Sequence, residues 1–273
     1  MINPTLRALV DLRDRTLQKS RIAFSNRLYA LDAQTDTDTK DETVYQVVQR
    51  WHERFDELED EAEKDIQFFA KKEPIIEEMV ALRGIGLLLA AKVVALCDIE
   101  QSPTISSFWR YAGYGQFRYW MSGNEVVAPE RGWQWKVDKL TGEKEKILVV
   151  PEPQEGWELV TRRDSAVSGW MLPYNKRLKT TLHVVAESFI RSGSPYRTIY
   201  DETKEYYLVN THTEWTKGHA HNAATRKMIK MFLSHLWLRW RTLEGLPVRQ
   251  PYVHEKMGHT TIRTPEEFGW LPR

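Results

Sequence analysis

Apolar residues return at every seventh position near the start of the chain, at Val10, Leu17, Phe24 and Leu31, with Leu6 and Leu28 beside them. Asn3 as N-cap and Pro4 at the first helical position predict that a long helix begins there. Arg7, Asp11, Arg15 and Arg21 keep charge on the facing positions, so the stripe reads as a coiled-coil seam. Residues 32–42 form a polar linker; their acidic run lacks the glycine a calcium loop requires and predicts a solvated turn. Over 43–72 the apolar positions Val44, Val47, Trp51, Phe55, Leu58, Ala62, Ile66 and Phe69 follow an eleven-residue pattern, which predicts a nearly straight or slightly right-handed stripe. The two helices predict an antiparallel hairpin, or a dimerisation arm if the stripes face another chain. A homo-oligomer through this arm is expected, and its acidic surface argues against DNA lying along it.

Pro74 opens a third helix that leads into residues 79–96, MVALRGIGLLLAAKVVAL. Two apolar runs flank Gly84-Ile85-Gly86, and the small residues Ala90 and Ala91 precede Lys92. This is the pattern of a helix–hairpin–helix. The glycines permit a turn that a Cβ would block, and free amides at the next helix N-terminus suit a phosphate. A plain helical hairpin with glycines serving only the turn fits the same stretch. Phe117 to Gly123 is an aromatic run ending in a turn. Between 124 and 168 the pattern changes to β: WQWKV and ILVV predict a hairpin around DKLTGEKEK, with WELVT as a third strand. Helices are expected again over 173–191, 195–208 and 218–240, the last carrying Ala220, Ala224, Met228, Met231 and Leu238 on one face.

The expected fold class is therefore mainly α: a long antiparallel coiled-coil hairpin followed by a helical helix–hairpin–helix domain with a small inserted β-sheet. The arm spans 1–73, the helix–hairpin–helix and serine loop 74–123, the inserted strands 124–170, the basic helical part 171–246 and an irregular tail 247–273.

Charge changes this picture more than composition does. The chain's net charge is +1, but it is about −6 through residue 80, about −1 over 81–160 and about +8 from 161 onward. The basic end is also rich in aromatics, a mixture that suits nucleic acid because cations neutralise phosphates and rings stack on bases. A solvated basic face over an aromatic core has the same composition. The single cysteine, Cys97, excludes a disulfide framework and a CxxC zinc site. It fits a reducing cytosol, so a cytoplasmic location is expected (nucleoid-associated if the chain binds DNA), and no apolar run is long enough to span a bilayer, so no membrane partner is expected.

Ser122-Gly123 is the pair that could carry chemistry, although an ordinary turn serine fits the same two residues. A serine hydroxyl needs a base or a cationic field to attack a phosphodiester; Arg118, Arg177 and Lys179 are the candidate donors. His219 and His221 are the closest histidines, but residues two apart on a helix point in different directions, so a shared metal is not expected. Acidic residues in the basic half are scattered, with no constellation for two-metal nuclease chemistry. No metal site is expected in this chain.

The order of motifs resembles the C-terminal half of the bridge-RNA-guided "one-ten" insertion-sequence transposases, a family that includes pilin-gene invertases. RALVDLRDRTLQKSRIAFSNRL stands at the family's coiled coil, LRGIGLLLAAKVVAL at its hairpin and WRYAGYG at its next segment. MSG, YNKRLK and KGHAHNAATRKMIKMFLSHLW follow in the family's order. The resemblance covers most of the chain apart from the inserted strands and the tail. It implies a serine nucleophile joining covalently to DNA, a role that falls on Ser122 with Arg118 beside it. It places DNA-binding residues at Asn175, Arg177 and Lys179 and at Arg226 and Lys227; Lys176 and Lys230 beside them, and Arg83, Gly84, Ile85, Gly86 and Lys92 of the hairpin, are the further expected DNA contacts. Tyr174 and Lys179 depart from the family's glycine and arginine. The chain begins near the family's coiled coil, so an RNase H-like partner in trans is expected, with magnesium only there, and a guide-like structured RNA is a further partner. The implied function is DNA strand exchange by a transposase or recombinase. The alternative is a non-catalytic DNA- or RNA-binding protein on the same scaffold.

Overall fold

A computed structural model describes residues 4–33, 42–138, 141–163, 166–211, 215–248 and 263–272. It is mainly helical with a small antiparallel sheet. The chain divides into two units, Met1–Ala81 with Ile85–Asp98, and Leu82–Gly84 with Ile99–Arg273. Asn3 and most of the 32–42 linker lie outside the described residues.

The first unit contains α1 (Pro4–Leu12), a π-helical turn (Arg13–Leu17), α2 (Gln18–Asp32), α3 (Glu42–Ala70), α4 (Pro74–Val80) and α5 (Leu87–Ala95). The expected first helix is thus continuous in direction but interrupted by one wide turn, a feature that re-aims side chains. Arg13, in that turn, is buried and bonds Glu59 at 2.6 Å and Glu63. Arg21 bonds Glu59 at 2.8 Å, and the Phe24 and Phe55 rings stack at 5.6 Å. These pairings run in opposite order along the two segments, so α2 and α3 pack antiparallel. Breaking a buried ion cluster of this kind by removing one partner costs about 3–5 kcal/mol, because a charge is left without compensation.

The apolar stripes are used unevenly. Leu6, Val10 and Leu17 are buried with Ala62, Ile66 and Ala70, where α5 supplies a third layer through Ala90, Ala91 and Val93. Farther out α2 and α3 pack on each other, and Ile22, Val44, Val47, Trp51 and Leu58 stay exposed.

The second unit contains α6 (Ile105–Tyr111), five strands, and α7 (Lys176–Ser192), α8 (Arg197–Tyr206) and α9 (Lys217–Leu243). Thr104 and Ser107 cap α6 reciprocally, each satisfying an amide the helix end leaves open. The strands are β1 (Phe117–Ser122), β2 (Glu125–Pro129), β3 (Gly132–Val137), β4 (Lys144–Val149) and β5 (Trp157–Arg162). They form an antiparallel sheet of order β2-β1-β5 and a separate β3–β4 hairpin. Two expectations are corrected here. Phe117–Ser122 is the central strand of the sheet, not a run preceding it. WELVT pairs with that strand, Phe117 opposite Arg162 and Ser122 opposite Trp157, and does not extend the hairpin. Strand alternation is weak in FRYWMS because Trp120, half-buried, shares a face with the exposed Arg118.

Helix α7 starts after Pro173, at the point where Asn175 caps it by accepting from the Leu178 amide at 3.1 Å. Thr216 caps α9 in the same way from His219. Helix α9 is the spine of this unit: Ala224, Met228, Phe232, Leu236, Trp237 and Trp240 are all buried. Part of the basic excess is structural. Arg241, buried, donates to the carbonyls of Ile99, Ser102 and Pro247, and Arg239 to that of Leu271. The described end of the tail, 263–272, is also built into the core. Trp270 Nε1 donates to the Tyr196 hydroxyl at 2.7 Å, and that hydroxyl lies 2.6 Å from His235 Nδ1. Residues 249–262 of the expected irregular tail lie outside the described residues. Among the described residues no helix is long and apolar enough to cross a membrane.

Candidate nucleic-acid interface

Three helices of the second unit bring four cations onto four aromatic rings. From α6, the Arg110 guanidinium lies 5.6 Å from the Phe117 ring. From α7, Lys179 Nζ lies 4.6 Å from the Tyr174 ring. From α9, Arg226 stands 5.7 Å from the Tyr114 ring and Lys230 Nζ 3.9 Å from the Trp109 ring. Each cation gains from the negative face of its ring.

The backbone holds these pairs close together. Arg226 donates to the carbonyls of Tyr114 and Gly115, and Trp109 Nε1 to the carbonyl of Lys230. The Asn175 amide donates to the Tyr111 carbonyl at 2.9 Å, and its side-chain amide to the Tyr111 hydroxyl at 2.9 Å. Gly113 permits this approach. Its φ is +78°, and a Cβ there would stand 2.8 Å from the Tyr174 ring and 2.9 Å from the Lys179 side chain. Only glycine fits both requirements. Burial pushes the Lys230 ammonium pKa down, and the neighbouring Arg226 charge adds to that shift. The two α9 cations therefore share one field.

The sequence-derived residues divide into those assembled here and those held elsewhere. Lys179, Arg226 and Lys230 belong to the cluster. Lys176 and Lys227 are exposed on α7 and α9. Asn175 serves as the α7 cap. Arg177 is half-buried on α7 with a buried guanidinium nitrogen. Arg83 is exposed, and Gly84 (φ +102°) lies where a Cβ would be 2.5 Å from Ser192 Oγ. Ser188 Oγ donates to the Gly84 carbonyl at 2.5 Å, so this glycine is required by the approach of α7. Ile85 is buried and Gly86 is the N-cap of α5. Lys92 is half-buried, 2.9 Å from Asp14. Burial alone would raise the Asp14 carboxyl pKa, but hydrogen bonds from Lys92 and Arg13 outweigh it and hold that pKa below the ordinary range.

Ser122 ends β1 opposite Glu125, at a two-residue turn in which Gly123 has φ +56°. It is exposed. Arg118 lies four residues back on the same strand face, about 13 Å away at roughly 3.3 Å per residue. It is paired with Glu130 at 2.8 Å. The structure thus does not bring Arg118 to the Ser122 hydroxyl, and no hydrogen bond joins Ser122 to a general base among the described residues.

His219 and His221 each have a hydroxyl partner. His219 Nδ1 lies 3.3 Å from the capping Thr216 hydroxyl, and His221 Nδ1 2.8 Å from the Tyr200 hydroxyl. Among the described residues no group of three His, Cys, Asp or Glu side chains is arranged to hold a metal ion.

Sequence reading missed Arg110. Its signal was its position inside WRYAGYG, between the two aromatics Trp109 and Tyr111. In comparisons with known proteins, no family model and no curated protein matches this chain.

Proposed function

We propose that this protein is a DNA-binding protein of the transposase-like plan, and that the α6–α7–α9 face of its second unit grips the phosphate backbone. The observation that carries this reading is the four-fold cation-on-ring cluster, with Lys176 and Lys227 exposed on α7 and α9. Ring-supported cations are pre-positioned for phosphate, and the rings offer stacking surface to bases. In this reading residues 79–96 act as a helix–hairpin–helix and the first unit as a coiled-coil arm that pairs with a second copy. A structured RNA and an RNase H-like protein are further partners in the same reading. The test is electrophoretic mobility of a duplex with the purified chain at low and at high salt. Complex at low salt, released at high salt, supports the reading; no complex at low salt refutes it.

A second reading is DNA strand exchange through Ser122, and the exposure of this hydroxyl at a hairpin tip favours it. Serine attack would form an Oγ–phosphorus bond and release a 3′-hydroxyl or 5′-hydroxyl leaving group, with a proton passing from the serine to a base. That base and the cation for the phosphate would come from the partner domain or the DNA complex, since Arg118 is held by Glu130. Trapping of covalent protein–DNA adduct, with an RNase H-like domain supplied, tests it. Adduct that disappears in Ser122→Ala supports the reading, and equal yield in that variant removes Ser122 from the chemistry.

A further inference from the structure

A cleft of about 300 Å³ opens in the second unit between the β1 sheet and the β3–β4 hairpin. Its chemistry is unusual for a surface depression. The lining includes the rings of Phe117, Trp133 and Trp170 together with the guanidinium-bearing residues Arg110, Arg118 and Arg131, against one carboxylate, Glu130. The formal charge of these groups is positive, and the rings supply flat apolar surface.

The walls are fixed by packing. A Cβ on Gly132 would stand 2.7 Å from Pro129 Cγ and 2.8 Å from Trp170 Cε3, so the Trp170 ring rests directly on the glycine. The Met171 amide donates to the Trp133 carbonyl at 2.8 Å, which ties the segment carrying Trp170 to β3. Trp133 faces Leu148 across the hairpin, and Lys146 Nζ lies 4.5 Å from its ring. The Glu130 amide donates to the Arg118 carbonyl at 2.9 Å, so the strand edge that presents Arg131 is held to β1.

Size selects among ligands. A volume near the lower bound for small-ligand sites admits one planar ring system and excludes a folded chain or a duplex. Planar, aromatic and anionic are together the properties of a nucleotide: a base for the rings and a phosphate for the arginines. Position selects the source. Arg110 and Phe117 line this cleft and also form one of the four cation–ring pairs of the proposed phosphate-gripping face. The cleft and that face therefore share one wall.

We propose that this cleft binds one unpaired nucleotide of a nucleic-acid strand, the base against Trp133 and Trp170 and the adjoining phosphate on Arg110 and Arg131. It rests on the DNA-binding reading above, and it gives the inserted strands a role: recognition of an unstacked base next to the duplex.

The experiment compares the full chain on three probes by fluorescence anisotropy: a blunt duplex, the same duplex with a short single-stranded overhang, and a single-stranded oligonucleotide. Deoxynucleoside monophosphate is the competitor. The wild-type protein is expected to favour the overhang duplex over the blunt one by about tenfold, from stacking of one base. Trp133→Ala is expected to abolish that preference and leave blunt-duplex binding unchanged. Arg131→Gln, at an exposed side chain that does not hold the fold, is expected to reduce it severalfold. Circular dichroism and thermal melting establish that both variants are folded. Equal binding of blunt and overhang duplex by the wild type overturns the proposal, as does a preference that persists in both variants. Competition by free monophosphate at micromolar concentration also overturns it, because the source is then a free nucleotide. If the oligonucleotide binds and is lost in Trp133→Ala while blunt duplex never binds, the phosphate-gripping face fails and the cleft stands.

Discussion

The charge on the α6–α7–α9 face makes a quantitative prediction about salt. Six cations stand on or beside it: Arg110, Lys176, Lys179, Arg226, Lys227 and Lys230. A protein that neutralises Z phosphates of duplex DNA shows a log–log salt slope of about −0.9Z, so six contacts give a slope of about −5. Between 50 and 200 mM salt that corresponds to a loss of about 10³ in affinity. The variant to make is Lys176→Gln/Lys179→Gln/Lys227→Gln. It spares Arg226, whose guanidinium holds the Tyr114 and Gly115 carbonyls, and Lys230, whose half-buried ammonium rests on the Trp109 ring. Three contacts remain, so the slope should fall to about −2.7 and the loss over the same range to about 40-fold. The assay is anisotropy of a labelled duplex titrated at four or more salt concentrations, and the slope is the readout because it counts charges whatever the absolute affinity. A slope unchanged by the triple substitution would refute the assignment of these lysines to phosphates, even if overall binding fell. A wild-type slope near zero would refute electrostatic gripping altogether.

Other consequences are simpler to measure. Gly84→Ala should lower stability by about 1–3 kcal/mol, seen as a lower Tm, because it combines a strained positive φ with a Cβ that meets Ser192. Burial in the Tyr196–Trp270 cluster pushes the His235 pKa down to about 4 from 6.5. The unfolded chain therefore takes up a proton first as pH falls, so the contribution of this neutral imidazole is full above about pH 6.5 and is lost progressively toward pH 4. The integrated loss is about 3 kcal/mol. Urea unfolding at pH 7.5, 6 and 5 should show it, and His235→Gln should flatten the profile across that window. The exposed stripe of Val47 and Trp51 on α3 is expected to pair with a second copy; Val47→Glu/Trp51→Glu should then lower the sedimentation coefficient of the wild-type species, and an unchanged value would refute pairing through this face.

Several features of the fold were legible because they are local. Pro74 at a helix start and Gly123 in a two-residue turn follow from backbone preferences that neighbours cannot override cheaply. The long α3 follows from its eleven-residue stripe, a helical spacing. Others were hidden for physical reasons. The π-turn at Arg13–Leu17 depends on Glu59 and Glu63, far along the chain, to accept a buried guanidinium. Strand β5 could have paired with either β1 or the hairpin, and its alternation alone does not choose. The described tail residues gave no periodic signal, yet Phe268 and Trp270 are buried, because large rings contribute to a core singly and without a repeat.

The candidate site shows the same division. Charge and aromatic content raised a nucleic-acid surface as an expectation, and the family resemblance singled out Lys179 and Arg226, with Lys230 beside them. The Lys179–Tyr174 pair is local to the start of α7, whereas the seating of Arg226 on Tyr114 and Lys230 on Trp109 is a tertiary fact, since those rings lie more than a hundred residues earlier in the chain. Ser122 and Arg118, four positions apart in sequence, looked like neighbours in a turn. An extended strand carries them about 13 Å apart, whereas a turn would have brought them together. Sequence by itself determined the helical character, the punctuation by proline and glycine, and the uneven distribution of charge, all of which depend on short-range sterics and composition. Only the tertiary structure decided which cations share a field, which glycines are compelled by close approach, and where a cleft forms, because those depend on surfaces brought together from distant parts of the chain.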